Sequence, residues 1–219
     1  MNEGEARPKA ELAKLSVQEL LERLSSSDPV PGGGSAAALA GAMGAGLVSM
    51  VAALTTGRDE YAAADADARQ IGEAAGPLQD ELIDLADRDS DAYQAFVSAR
   101  RLPRQTDEER AARATAMGNA IVQAAEVPLR TAQVAVKVLE LARRIAPIGN
   151  RNAVSDAGVA ALLASAAVRG AILNVRINLP HLPADAPVRD MAPGELTTLE
   201  QQAATLEAAA LSDVASRLG

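Results

Sequence analysis

A chain of 219 residues is long enough for one sizeable domain with a full hydrophobic core. It has no cysteine and a single histidine, His181, which excludes a disulfide framework, thiol chemistry and any metal site built on thiolates or several imidazoles. A net charge of −8 and a pI near 4.8 argue against nucleic acid or an anionic membrane as the main partner.

Aromatic residues are scarce: two Tyr, one Phe and no Trp. A core of Ala, Leu, Val and Gly gains its buried area through close backbone approach, which suits packed helices better than a β-sandwich. The expected fold is all-α, a single-domain helical bundle with long helices. Met1–Lys14 reads as a mobile tail, leaving 15–219 as the domain. The first residues lack the basic-then-apolar order of a secretory signal, so a cytoplasmic protein is expected.

Ser16 and Glu19 form a capping-box pattern, and the helix behind them carries Leu20, Leu21 and Leu24 on one side. Next comes Pro29–Thr56, which has no charged residue and opens with Pro31, Gly32, Gly33, Gly34 and Ser35. Glycines there allow positive φ or close approach of the backbone. Free N–H groups at the start of the following helix favour a carbonyl oxygen or an anion. Two readings stay open for this stretch: a ligand loop on a core helix, or a tight helix–helix seam. It is long enough to span a membrane but dominated by Ala and Gly. A helix buried all round, its burial completed by a second subunit, is the expectation.

A long helix is expected from Asp59 to Arg100, bent or broken at Gly76-Pro77. Leu78, Leu82, Leu85, Asp89, Ala92 and Phe96 make one stripe on it. Asp80, Asp84, Asp87 and Asp91 read as a solvated face. Asp89 stands inside the apolar stripe, where a carboxylate is costly unless paired or used. It is a functional candidate, with a structural partner as the alternative. Thr106 and Glu109 repeat the capping-box pattern; Val127-Pro128 is expected to interrupt the helix that follows, which resumes over Leu129–Ile145.

After a turn-rich loop holding Asn150 and Asn152, a second small-residue helix is expected from Ser155-Asp156 to about Asn178. Asp156, Ala160, Leu163, Ala167, Gly170, Asn174 and Asn178 fall in one arc of it, a pattern fitting a groove with polar ends. The alternative is that Asp156 supports the helix N-terminus and the asparagines cap or cross-link helices. Leu179–Pro193 reads as a connection in which His181 is incidental. Leu196, Leu199, Ala203, Leu206, Ala210 and Val214 mark a last helix, Glu195–Leu218, for a bundle or dimer.

Taken in order, PVPGGGSAAALAGAMGAGLVSMVAALTTGRDEY, Asp89 with Ala92-Tyr93 and Leu102-Pro103-Arg104, Val127-Pro128, Gly149-Asn150 with Asn152 and Ser155-Asp156, and Asn174 with Asn178 form a familiar set. The chain resembles the formimidoyltetrahydrofolate cyclodeaminase and methenyltetrahydrofolate cyclohydrolase family from about Leu15 to Leu182. Its length looks like that of a stand-alone cyclohydrolase. The resemblance implies an all-helical homodimer that binds folate in a cleft and needs no metal or cofactor beyond the tetrahydrofolate substrate. The implied reaction is hydrolysis of 5,10-methenyltetrahydrofolate to 10-formyltetrahydrofolate, or closure of formimidoyltetrahydrofolate with loss of ammonia. A non-catalytic folate-binding dimer is a third reading.

The resemblance also distributes roles. Asp89 and Asp156 become the catalytic candidates, Asp89 as general base and Asp156 to orient pterin or water. Pro31, Gly32, Gly33, Gly34 and Ser35 shape the pocket. Arg58, Tyr61 and Arg104 are assigned to substrate binding, the arginines to the glutamate tail. Asn150, Asn152, Asn174 and Asn178 are expected to read the pterin edge. Arg58 and Arg104 stand where the family commonly has lysine, keeping the charge but not lysine's capacity to donate a proton.

Overall fold

The computed structural model describes residues 11–219, and among these every regular element is helical. In chain order the α-helices are α1 (Val17–Leu24), α2 (Gly33–Thr55), α3 (Asp65–Arg100), α4 (Asp107–Ile145), α5 (Val154–Asn178) and α6 (Pro187–Leu218). Short 3-10 turns lie at Leu12–Lys14, Asp59–Ala64, Arg151–Ala153 and Leu179–His181. Both capping boxes close: Ser16 with Glu19 starts α1, and Thr106 with Glu109 starts α4.

Helix α2 packs against α3 on one side and α5 on the other; α4 lies against α3 and α5, and α6 covers α4 and α5. Small residues set how close these helices come. A Cβ on Gly44 would stand 3.1 Å from the Ala160 carbonyl, one on Gly41 3.3 Å from the Ala167 Cβ, and one on Gly170 3.1 Å from the Ala37 Cβ. The pairs run in opposite directions along the two chains, so α2 and α5 are antiparallel. Val48, Val51, Ile71, Leu82, Leu85, Leu139, Ile172 and Leu196 fill the space between helices and are fully buried or nearly so. The middle of the α5 arc, expected as an open groove, is therefore filled by α2. Packing decides that stretch.

Several other expectations change. Pro77 and Pro128 neither break nor interrupt their helices; α3 and α4 run through them. Each proline removes one N–H, but a helix held by many core contacts tolerates the loss. Helix α6 begins at Pro187, earlier than expected, because Pro187 occupies its first turn and Pro193 lies inside it. Its stripe from Leu196 to Val214 does face the core. Residues 1–10 of the expected tail lie outside the described residues. Its remaining end is anchored: Leu12 is buried and donates its N–H to Asp87 Oδ1 at 2.8 Å. Asp87 thus supports the chain start rather than only facing solvent.

Two segments, α2 and Arg151–His181, are long and apolar enough to cross a membrane, with 50% and 56% of their apolar windows buried by the rest of the chain. The outer face of α2 remains apolar, with Met43, Met50 and Leu54 exposed.

Candidate active site

The glycine loop turns into α2 through a cis Val30–Pro31 bond, and Gly32 is the N-cap. None of its three glycines has positive φ. What one of them supplies is space. A Cβ on Gly34 would lie 2.1 Å from Asp89 Oδ1 and 2.5 Å from its carboxyl carbon, whereas Gly32 and Gly33 have room for one. Gly34 is glycine because the Asp89 carboxylate rests against the first turn of α2.

Ser35, the next residue, is fully buried. Its hydroxyl lies 2.8 Å from the Ala86 carbonyl and 3.0 Å from Asp89 Oδ2, sharing its one proton between them, with Ser90 Oγ at 3.1 Å. Burial pushes the Asp89 carboxyl above the ordinary aspartate range, against the pull of the Ser35 hydroxyl and the Ser35 N–H. Among the described residues no cation contributes to that balance. The positive end of α2 keeps the ionised form accessible. A half-buried carboxylate held this way is more basic than a surface aspartate, and among the described residues it has no ion-pair partner.

One turn along the same face of α3 a cavity of about 360 Å³ opens, lined by Tyr93, Phe96, Met117, Ile121, Ala124, Asn178 and His181. That is within the range of small-ligand pockets. Asp89, Tyr93 and Phe96 are spaced four and three residues apart, so carboxylate and cavity share one helix face. The chain's only phenylalanine, its only histidine and one of its two tyrosines meet here. Phe96, expected in the core stripe, and His181, expected to be incidental, both line the cavity, as do Met117 and Ile121, which no motif marks. Aromatic scarcity was the available signal, but only the tertiary arrangement shows that the few present converge.

Asn174 and Asn178 line the junction of these parts. Asn174 Nδ2 lies beside Gly33 and donates to the Gly170 carbonyl at 2.9 Å. Asn178 Nδ2 donates to the Asn174 carbonyl at 2.8 Å and to the Ala124 carbonyl at 2.9 Å. The structure thus brings together Gly32–Ser35, Asp89, Asn174 and Asn178.

It separates them from the other candidates. Helix α2 has 23 residues and so is about 35 Å long. Arg58, Tyr61, Asn150 and Asn152 sit at its far end, and Asp156, at the start of the antiparallel α5, lies toward that end too. There Asn150 is buried. Its N–H donates to Thr55 Oγ1 at 2.8 Å, its Nδ2 to the Leu54 carbonyl at 2.9 Å, and its Oδ1 accepts from the Asn152 N–H at 2.9 Å. Within one copy Asn150 ties the α4–α5 loop to α2 and does not face the cavity, contrary to the expected pterin contact. The Tyr61 hydroxyl accepts from the Arg151 N–H at 3.0 Å, while Arg58 is exposed. Arg104 is exposed on the α3–α4 loop, beyond the cavity end of α3.

Comparison with known proteins gives a consistent picture. The family model for formiminotransferase-cyclodeaminase matches residues 16–194. A methenyltetrahydrofolate cyclohydrolase of Methylorubrum extorquens is 45% identical over 167 residues, covering 76% of this chain and 80% of that protein. The formimidoyltransferase-cyclodeaminases of Mus musculus and Sus scrofa are 32% and 33% identical over 96% and 97% of this chain, which spans 39% of the length of each. The crystal structure of a formiminotetrahydrofolate cyclodeaminase from Thermotoga maritima superposes with a TM-score of 0.83 at 27% identity, covering 95% of this chain and all of that one.

Proposed function

The chain belongs to the formiminotransferase-cyclodeaminase family, and from that premise we propose that it hydrolyses 5,10-methenyltetrahydrofolate to 10-formyltetrahydrofolate. The observation that carries the reading is Asp89: a carboxylate made more basic by burial, seated on the first turn of α2 beside an aromatic-lined cavity. The relative with the same named activity is also more similar in sequence than the cyclodeaminases above.

The methenyl bridge is an amidinium cation. Tyr93 and Phe96 offer it π faces, and the Asp89 charge stabilises it. Water attacks the bridge carbon and gives a proton to Asp89, a step in which a positioned base typically contributes 10² to 10⁴ in rate. Asp89 returns that proton to N5 as the carbon–N5 bond breaks, and the hydroxyl proton is released to water as the carbon becomes a formyl group on N10. Ser35 orients the carboxylate, and Gly34 leaves it room. No metal or cofactor takes part in these steps.

Arg104, on the cavity side, is assigned to the glutamate tail of the folate. Arg58 and Tyr61 reach the site only if a second copy supplies them, which supports a homodimer. The exposed Met43, Met50 and Leu54 on the uncharged α2 give such a pair an apolar face. Two copies pairing α2 antiparallel set the Arg58 end of one beside the Gly33 end of the other. The same arrangement brings Asp156 and Asn152 closer to the partner's cavity, and a cytoplasmic pair is the setting that accompanies this reading.

The test is to mix purified protein with 5,10-methenyltetrahydrofolate and follow the methenyl absorbance. A catalysed fall supports hydrolysis. A rise with formimidoyltetrahydrofolate instead assigns cyclodeaminase activity, the reading favoured by the Thermotoga maritima likeness. Binding without either change leaves a folate-binding protein and removes the enzymatic reading.

A further inference from the structure

Three prolines lie inside helices among the described residues: Pro77 in α3, Pro128 in α4 and Pro193 in α6. Each deprives the carbonyl four residues earlier of its helical N–H donor. For Pro77 and Pro193 those carbonyls belong to Glu73 and Arg189, both exposed, where water can serve them. For Pro128 the carbonyl belongs to Ala124, in the cavity wall beneath a buried proline. The donor that replaces the missing N–H is Asn178 Nδ2, at 2.9 Å.

This repair fixes the Asn178 amide. Both atoms facing Nδ2, the carbonyls of Ala124 and Asn174, only accept hydrogen bonds, so a flipped amide would set oxygen against oxygen. The two hydrogens of Nδ2 are used, and Oδ1 is the polar atom left to a ligand. Asn178 is also one of the residues lining the cavity, whose other walls are mostly apolar or aromatic.

We propose that Pro128 is a positioning residue: by opening the Ala124 carbonyl to Asn178 it locks that amide as a fixed acceptor for an N–H donor on the edge of a flat heterocycle. The proposal rests on the folate reading for its ligand, and the reduced pterin carries suitable donors in its ring lactam N–H and amino group. A freely turning asparagine would accept or donate with little preference. A locked one selects the edge that donates, and so sets which way round the heterocycle enters.

The experiment compares wild type with Pro128→Ala, using Pro77→Ala as control. Alanine is the better helix former, and its N–H competes for the Ala124 carbonyl, so the helix is kept while the amide is released. Side-chain amide exchange of Asn178, followed by NMR without ligand, is expected to quicken by about three- to tenfold in Pro128→Ala, the size of one lost hydrogen bond. The KM for 5,10-methenyltetrahydrofolate is expected to rise by a similar factor, with a smaller change in kcat, while Pro77→Ala matches wild type in both readouts. Wild-type exchange in Pro128→Ala, or a raised KM without faster exchange, overturns the proposal. If even wild type fails to turn over the folate, the enzymatic reading falls, and the exchange comparison still decides whether Pro128 locks Asn178.

Discussion

The two ends of α2 are built from similar residues and do different things. At the Gly34 end a carboxylate presses on the helix start, its pKa raised by burial, with an open cavity next to it. At the Thr55 end the polar groups are matched to one another. Asn150 bonds to Thr55, Leu54 and Asn152, and Arg217 donates to the carbonyls of Ala146 and Gly149. A polar group with all its bonds satisfied inside the protein holds architecture. One held at a helix start, a turn away from a cavity, is placed for chemistry.

The sharpest way to break this comparison is Asp89→Asn. Turnover of 5,10-methenyltetrahydrofolate should fall by about 10² or more, the contribution of a positioned base, while folate binding, measured by titration, persists. Stability moves the other way. Because burial raises the folded-state pKa, the native protein releases this proton at higher pH than the unfolded chain does. Stability present below the ordinary aspartate value is thus lost as pH rises through it toward the raised one. The asparagine variant escapes that cost, so its melting temperature at neutral pH should equal or exceed that of wild type. In the wild-type enzyme the acid limb of kcat/KM should lie above the ordinary aspartate value, since the base must be ionised. A limb at or below that value contradicts the assignment.

Two glycine substitutions on α2 sharpen the contrast. Gly34→Ala drives a methyl into the Asp89 carboxyl and should remove most activity, read by the same absorbance assay. Gly44→Ala meets the Ala160 backbone in the seam with α5 and should cost about 1–3 kcal/mol of stability by denaturant titration. Its KM should stay near the wild-type value. Equal activity losses in the two variants would mean that the helix start is no different from the seam.

The smallest effect on activity is expected at the far end. Asn150→Ala removes the side-chain partner of the Leu54 carbonyl and of the Asn152 N–H and should destabilise by about 1–3 kcal/mol. A rise in KM larger than that at Asn178→Ala would show that Asn150 reads the substrate, through a second copy, after all.

Much of this protein was settled by local chemistry in the chain. Scarce aromatics and small apolar residues called for closely packed helices, the two S/T-x-x-E boxes set helix starts at Ser16 and Thr106, and period 3.6 put Asp89 in an apolar stripe. Tertiary structure alone decided that Gly34 makes room for a carboxylate while Gly44 makes room for a helix, and that Pro128 continues α4 with an asparagine from α5 repairing the gap. It also brought Tyr93, Phe96 and His181 to one cavity and left Asn150 at the other end of α2. Residue type and spacing fix which way a side chain points from its own helix. What it meets there depends on a neighbour dozens of residues away in sequence, and that is set only when the helices pack.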